Sequence, residues 1–160
     1  MRVQQLFAGG LLMVITLLSS VTLPTQKSTA LCATPRSELL GNWININSNT
    51  RSITQVKINF ACGDVALCDT NGHCSQDYTG FVIRVYGACH PTNCAWGQAT
   101  AKVRKLPHEV LTASYNQGFA QRNLFANLNN GQLLLTSNTH FTDRSGRSDY
   151  KAFDYFKKSH

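Results

Sequence analysis

The residues with the clearest chemical potential lie between positions 86 and 97, which read YGACHPTNCAWG. Cys89 and Cys94 bracket His90, and Trp96 follows the second cysteine after one residue. Thiolates and an imidazole can hold zinc, and paired cysteines can exchange disulfides. The same spacing also suits a disulfide that closes a turn, because the proline and asparagine between the cysteines favour turns.

The first thirty residues predict an exported protein. One basic residue precedes an apolar run from Leu6 to about Leu18, and a small residue at Ala30 marks a cleavage site. We therefore predict a signal peptide over residues 1–30 and a single secreted or periplasmic domain over residues 31–160. The apolar run is too short and interrupted for a comfortable membrane span, and an uncleaved N-terminal anchor is the alternative.

Six cysteines follow the predicted cleavage site, and an even number in an exported chain predicts disulfides. We pair Cys89 with Cys94 because turn-forming residues separate them. Of the other four cysteines, three lie close together in one segment, and two of these three can pair with each other. Cys32 must then pair with the remaining one. These four are Cys32, Cys62, Cys68 and Cys74.

Export also decides what the cysteines can do chemically. Because exported cysteines oxidise, we do not expect a zinc site built from Cys89, His90 and Cys94 with His73 and Cys74. Disulfide exchange typically uses C-x-x-C at the start of a helix, whereas four residues separate the two cysteines here. We therefore predict a disulfide-closed turn, with no metal and no cofactor.

The chain is basic, with 15 Lys and Arg against 8 Asp and Glu and a formal charge of +7. Residues 1–30 contain 2 basic and no acidic residues, so their removal lowers the charge to +5. The basic residues are scattered, and Lys102, Arg104 and Lys105 form one of the few clusters. A solvated basic surface explains this pattern, steering of an anionic ligand is the alternative, and nucleic acid is not an expected partner.

Short alternating apolar and polar segments follow one another from Leu39 onward, as in a chain of antiparallel strands. Asn-Gly pairs in the connections predict hairpins, and residues 63–78 form a cysteine-bearing excursion. We predict an all-β fold, an eight-stranded antiparallel up-and-down barrel with disulfide-tied loops, and a two-sheet sandwich is the alternative. The predicted strands are 39–47, 52–60, 81–87, 96–105, 109–116, 119–128, 132–141 and 148–157.

The stretch Leu40–Asn45 reads LGNWIN, and its G-x-W spacing resembles the start of calycin barrels, the lipocalins and avidins. Asn45 adds to the likeness to avidins. The resemblance implies that Trp43 plugs a closed barrel end and that a late basic residue packs over it, which we assign to Arg144 or Arg147. Beyond Asn45, no biotin-holding residue of avidins can be mapped here, so biotin binding is not implied.

The chain also resembles a group of uncharacterised small exported domains. These share a W-x-N opening, a C-x-P-T-x-C-x-W-G centre and an S-G-R-x-D-Y close, found here at residues 43–45, 89–97 and 145–150. The likeness spans most of Leu39 to Phe156 and departs at 62–78. It implies one exported β domain and brings no activity with it.

Hydrolysis is a further hypothesis, because histidines can act as general bases and arginines can stabilise developing phosphate charge. The chain has no G-x-S-x-G or H-E-x-x-H motif. We therefore favour binding over catalysis, predict no catalytic residue, and keep a small secreted hydrolase as an alternative. The residues such chemistry would use are His90, His108, His140, Asp143, Asp149 and Arg147.

The stretch from residue 141 to 150, FTDRSGRSDY, is the richest in polar residues. As a structural hairpin loop, it would have Asp143 capping the turn, Gly146 supplying a positive φ, and arginine and aspartate pairing across its mouth. As a recognition loop, it would offer Arg144 and Arg147 to an acidic group and Tyr150 as a flat apolar contact. A secreted inhibitor of a hydrolase acting through the 143–150 loop is therefore the second functional hypothesis.

We predict an exported, disulfide-bonded binding protein for a small amphipathic molecule inside the barrel or a glycan at its loop end, with an extracellular protein as the alternative partner. Trp96 is either a core residue or a stacking platform at the open end. A cavity lined by the tryptophans would favour an internal ligand, and a packed interior would exclude one. The predicted ligand-binding residues are Trp43, Asn45, Tyr86, His90, Trp96, Arg147 and Tyr150.

Overall fold

The structure is a computed structural model that describes residues 32–63, 67–68, 72–75, 78–105 and 107–159. The predicted signal peptide therefore lies outside the described residues. No helix among the residues described has the length and apolarity that a membrane crossing requires. The described strands are β1 (Gly41–Asn45), β2 (Ile53–Cys62), β3 (Leu67–Cys68), β4 (Cys74–Ser75), β5 (Thr79–Gly87), β6 (Cys94–Arg104), β7 (Val110–Asn116), β8 (Ala120–Asn129), β9 (Gln132–Phe141) and β10 (Tyr150–Ser159).

Eight of these strands close into a barrel in the order β1-β10-β9-β8-β7-β6-β5-β2, and every neighbouring pair is antiparallel. The predicted all-β, eight-stranded up-and-down barrel is confirmed, and such a barrel is compatible with a calycin-like fold. The remaining strands, β3 and β4, pair with each other in the predicted cysteine-bearing excursion.

Hairpin connections form where the sequence places Asn and Gly. Asn130 and Gly131 both have positive φ, at 50° and 77°, in the tight connection between β8 and β9. Two consecutive positive φ values match the right-handed twist of the flanking strands, which explains the Asn-Gly pair. Gly118, with φ 76°, serves the connection between β7 and β8.

The barrel interior is filled by one continuous cluster of apolar side chains. Many of its members, including Ile58, Leu111 and Leu135, have no accessible surface, so no water-sized cavity borders them. Trp43 and Trp96 both belong to this cluster, with 2% and 8% of their surface exposed. Interior side chains of a small barrel can fill it completely, as they do here, and this packing argues against a ligand inside the barrel.

Trp43 anchors the end of the barrel where β1 begins and β10 ends. Its indole Nε1 donates to the carbonyl of Leu39 at 2.9 Å, and the Lys158 Nζ lies 5.3 Å from the ring centroid. The expectation that Arg144 or Arg147 would cover Trp43 is therefore wrong. The register of closure puts Lys158 directly opposite Trp43, whereas Arg147 lies over Phe141.

All six cysteines form disulfides, Cys32 with Cys62, Cys68 with Cys74, and Cys89 with Cys94. The predicted Cys89–Cys94 bridge is confirmed, and Cys62 is the cysteine that Cys32 reaches. The first bridge ties the residues before β1 to the end of β2, and the second closes the β3–β4 hairpin. A small domain gains stability from such cross-links chiefly because they restrict its unfolded chain.

The alternation of faces along β9 gives a direct test of the barrel. Leu133 is fully buried, whereas its neighbour Leu134 is only partly buried on the outer face. We expect Leu133→Ala to lower the free energy of unfolding by about 2–5 kcal/mol, and Leu134→Ala by about 1 kcal/mol or less. Urea denaturation of both variants measures this. Equal losses would show that the assignment of faces is wrong.

Candidate ligand-binding site

The connections 46–52, 88–93, 117–119 and 142–149 all lie at the barrel end opposite Lys158, which we call the mouth. A pocket of about 410 Å³ opens there, and the Cys89–Cys94 bridge contributes to its wall. Its lining contains two arginines and neither aspartate nor glutamate. The lining residues include Arg51, Gly87, Trp96, Phe119, Arg122 and Tyr150.

The segment from Gly87 to Gly97 builds one wall of this pocket. Gly87 pairs with Cys94 where β5 and β6 meet, beside the disulfide. One extra residue in β6 then makes a bulge, with Gly97 at φ 86°, that turns Trp96 into the core. A Cβ on Gly87 would lie only 2.7 Å from the Trp96 indole nitrogen, so glycine is required for the indole to pack.

Arg122, which the sequence analysis did not select, lies at the centre of the pocket wall. Its guanidinium carbon is 4.4 Å from the Trp96 ring centroid. Its Nε donates to Gln117 Oε1 at 2.8 Å, and its Nη1 donates to Thr139 Oγ1 and Tyr150 Oη at 3.3 and 3.1 Å. The signal that could have found it is its parity, because Arg122 shares the inward face of β8 with buried leucine and alanine.

Trp96 is part of the pocket wall rather than a free stacking platform. Arg122 covers its ring, and Tyr115 packs edge-on against it at 6.0 Å. Tyr115 is itself buried and donates from its hydroxyl to the Ile83 carbonyl at 2.7 Å, and burial raises the pKa of that hydroxyl. The aromatic surface open to a ligand therefore comes from Phe119 and Tyr150.

The structure brings two of the seven predicted binding residues, Trp96 and Tyr150, to the mouth pocket. Arg147 is next to it, because its guanidinium lies 5.3 Å from the ring centroid of Phe119. His90 is exposed on the disulfide loop and does not line the pocket.

The other three predicted residues lie elsewhere. Trp43 is buried at the opposite end, and Tyr86 faces the outside of the barrel, with the ammonium of Lys57 5.5 Å from its ring centroid. Asn45 is an interior residue whose amide donates to the Ile53 carbonyl at 2.6 Å and to Asp154 Oδ1 at 3.0 Å. These contacts give Asn45 a structural role in the barrel.

Polar contacts among its own residues order the 142–149 connection. Asp143 accepts hydrogen bonds from the Ser145 hydroxyl and from Arg147, and Gly146 has φ 70°. The hydrogen bond from Ser145, followed by the contact with Arg147, holds the pKa of Asp143 below its ordinary value. The predicted pairing of arginine with aspartate across this loop is therefore confirmed. Stacking on Phe141 at 4.1 Å fixes Arg147 further.

His140 and Asp149 form the second polar pair of this region, with His140 Nδ1 2.6 Å from Asp149 Oδ2. The Phe141 amide donates to the other oxygen of Asp149 at 2.9 Å. The hydrogen bond to His140, then that from Phe141, lowers the pKa of Asp149. Both side chains are more than half exposed on the outer side, beside a shallow pocket shared with Asn123 and Lys151.

Every cysteine is a disulfide sulfur, and no group of three or more His, Cys, Asp or Glu residues within the described ranges could hold a metal ion. His108 lies apart from the other histidines, in an outer groove with Lys102 and Phe125.

Fold and site together define a disulfide-bonded, closed eight-stranded β-barrel, and three disulfides in so small a domain are typical of extracellular proteins. Comparison with protein-family models, with curated proteins and with solved structures finds no significant match.

The His140–Asp149 contact makes a prediction about pH. A lowered pKa in the folded protein means that the contact stabilises the fold above the ordinary carboxyl pKa of 3.8 and is lost as the pH falls through the folded value. In His140→Ala, we expect the pKa of Asp149 to rise towards 3.8 while remaining below it, because the Phe141 amide still donates. Carbon-detected NMR titration measures this.

Asp143 is the internal control for this titration, because its partners Ser145 and Arg147 are untouched. Its pKa should stay low in His140→Ala. An unchanged Asp149 pKa in that variant would contradict the assigned contact.

Proposed function

We propose that the protein is an exported binding protein that holds a small amphipathic molecule at the mouth of the barrel. The observation that carries the proposal is the mouth pocket, where half-exposed aromatic rings and two arginines surround about 410 Å³ on a disulfide-braced wall. Ligand pockets commonly measure about 300–1,000 Å³ and combine apolar lining with a few polar groups.

The exposed aromatic rings at the mouth support an apolar part in the ligand. Phe119 is 42% exposed and Tyr150 is 44% exposed, and both line the mouth pocket. Large exposed apolar side chains that converge on one concavity are typical of binding surfaces. A ligand with a planar apolar group would cover both rings and gain the free energy of burying them.

Because side chains fill the barrel interior, we place the ligand at the mouth and not at the barrel centre. The buried Asn45 and the partly buried Asp154 and Ser52 form a hydrogen-bonded group below the pocket, with Ser52 Oγ donating to Asp154 Oδ2 at 2.9 Å. An internal ligand would have to disrupt this group and the apolar cluster beyond it. A ligand seated on the mouth disrupts neither.

The Cys89–Cys94 bridge supports binding through rigidity. It holds the 88–93 connection beside Gly87, and the Ala88 amide also donates to the Ser52 carbonyl at 2.8 Å. A pocket wall fixed before the ligand arrives avoids the cost of ordering a loop on binding.

A glycan is less well matched than an amphipathic molecule, because the ring of Trp96 is covered by Arg122 and its flat face cannot stack on a sugar. An inhibitor remains the second candidate, and the observation that favours it is the ordered 142–149 loop. Asp143, Ser145 and Arg147 fix that loop, while Arg144 is exposed within it. A pre-ordered loop with an exposed arginine suits insertion into an enzyme cleft.

Two phenylalanines of similar exposure allow a matched test with the neutral fluorescent probe N-phenyl-1-naphthylamine. Phe119 lines the mouth, whereas Phe125, 39% exposed, lines the outer groove. We expect Phe119→Ala to weaken probe binding about fivefold because an apolar contact is lost. Phe125→Ala should leave the dissociation constant unchanged. Fluorescence titration of the oxidised protein measures both.

Two results would contradict the proposal. The first is an absence of probe binding to the wild-type protein. The second is the reverse ranking, in which Phe125→Ala weakens binding and Phe119→Ala does not, because that ranking would assign the site to the outer groove.

A further inference from the structure

We infer that the mouth pocket selects organic anions, in which a planar apolar group carries a carboxylate or sulfonate that binds Arg122, with Arg51 as a second cation. This inference rests on the proposed function and names the class of ligand. The inference is based on two observations: the arginines of the pocket form no ion pair with a described carboxylate, and the nearby carboxylates have other partners.

Arg122 has unused hydrogen-bonding capacity. It is only partly exposed, and its Nε and Nη1 donate to three neutral acceptors, namely Gln117, Thr139 and Tyr150. Its Nη2 donates to no atom of the described residues. Because a guanidinium cannot lose its charge in a protein, these contacts orient the cation without neutralising it.

The carboxylates on the surrounding segments are already committed to other partners. Asp143 pairs with Arg147 and Asp149 with His140, whereas Asp154 accepts hydrogen bonds from two neutral groups, the Asn45 amide and the Ser52 hydroxyl. Neither mouth arginine forms an ion pair with a carboxylate of the described residues. The lining of the pocket therefore carries two positive charges and no negative charge, which favours an anionic ligand.

Stacking on Trp96 prepares Arg122 for an anion. The aromatic face attracts the cation and fixes its plane, so less side-chain freedom is lost when a ligand binds. The free Nη2 offers its two N–H groups to an oxygen of a carboxylate or sulfonate, and a charge-assisted hydrogen bond is about twice as strong as a neutral one. Phe119 and Tyr150 then contact the apolar part of the ligand.

Two probes with the same ring system separate charge from apolar contact. They are 8-anilinonaphthalene-1-sulfonate and N-phenyl-1-naphthylamine, which lacks the sulfonate. We expect the oxidised protein to bind the sulfonate probe about tenfold more tightly in low salt, and added NaCl should reduce this preference. Fluorescence titration gives both dissociation constants.

Three variants locate the preference. Arg122→Gln should abolish it, and Arg51→Gln should reduce it by about two- to threefold. Arg51 is exposed and makes no described side-chain contact, so this second variant keeps the test valid if Arg122→Gln unfolds. Arg104→Gln, which removes an equal charge from the outer groove, is the control and should preserve the preference.

The outcomes separate this inference from the proposed function. Equal affinity for both probes, with binding still sensitive to Phe119→Ala, would overturn the anion inference and leave the mouth site in place. A preference lost only in Arg104→Gln would overturn it as well, because the anion would then bind outside the mouth. If neither probe binds, the proposed function fails and the inference fails with it.

Discussion

The whole architecture depends on the closure of the barrel by β1. This strand has only five residues, yet it pairs with β2 on one side and with β10 on the other, joining the two ends of the chain of hairpins. Closure leaves none of the eight barrel strands with an unpaired edge and brings their inward side chains towards one axis. Because the enclosed space is filled by those side chains, the surfaces free to recognise a partner are the outside of the barrel and its two ends.

The two ends differ although each contains a tryptophan beneath a cation. At the closed end, Lys158 lies over Trp43 and its ammonium also donates to the Glu38 carbonyl at 3.3 Å. At the mouth, Arg122 lies over Trp96, and the surrounding acceptors leave one guanidinium nitrogen unused. The same stacking interaction therefore completes the packing at one end and presents a donor at the other.

The parts of the fold that could be predicted from the sequence are those determined by local sequence patterns. The alternation along each strand, the Asn-Gly connections and the short spacing between Cys89 and Cys94 all act over a few residues, and each is confirmed. The 86–97 motif also becomes clear in retrospect, because Gly87 is needed for Trp96 to pack. Such features can be predicted because the responsible forces operate between neighbours in sequence.

The mouth pocket could not be predicted in the same way, because it is formed by contacts between residues that are far apart in the sequence. The stacking of Arg122 on Trp96 joins β8 to β6, and the choice of Lys158 over Trp43 follows from the register of the last strand against the first. The alternation of buried and exposed residues along β8 indicates that Arg122 faces inward, but it does not indicate which aromatic ring Arg122 contacts. Contacts between a cation and an aromatic ring on different strands depend on how the barrel closes. The sequence therefore did not indicate Arg122 as the partner of Trp96, and the assignment of Arg144 or Arg147 to Trp43 was wrong.

The central claim, that ligands bind at the mouth and not inside the barrel, can be tested through the two tryptophans of the chain. Trp96 lines the pocket, whereas Trp43 is buried at the opposite end with its indole bonded to Leu39. In proton–nitrogen NMR spectra recorded during titration with 8-anilinonaphthalene-1-sulfonate, we predict that the Trp96 indole signal moves and the Trp43 signal does not. Movement of the Trp43 signal with an unmoved Trp96 signal would contradict the account.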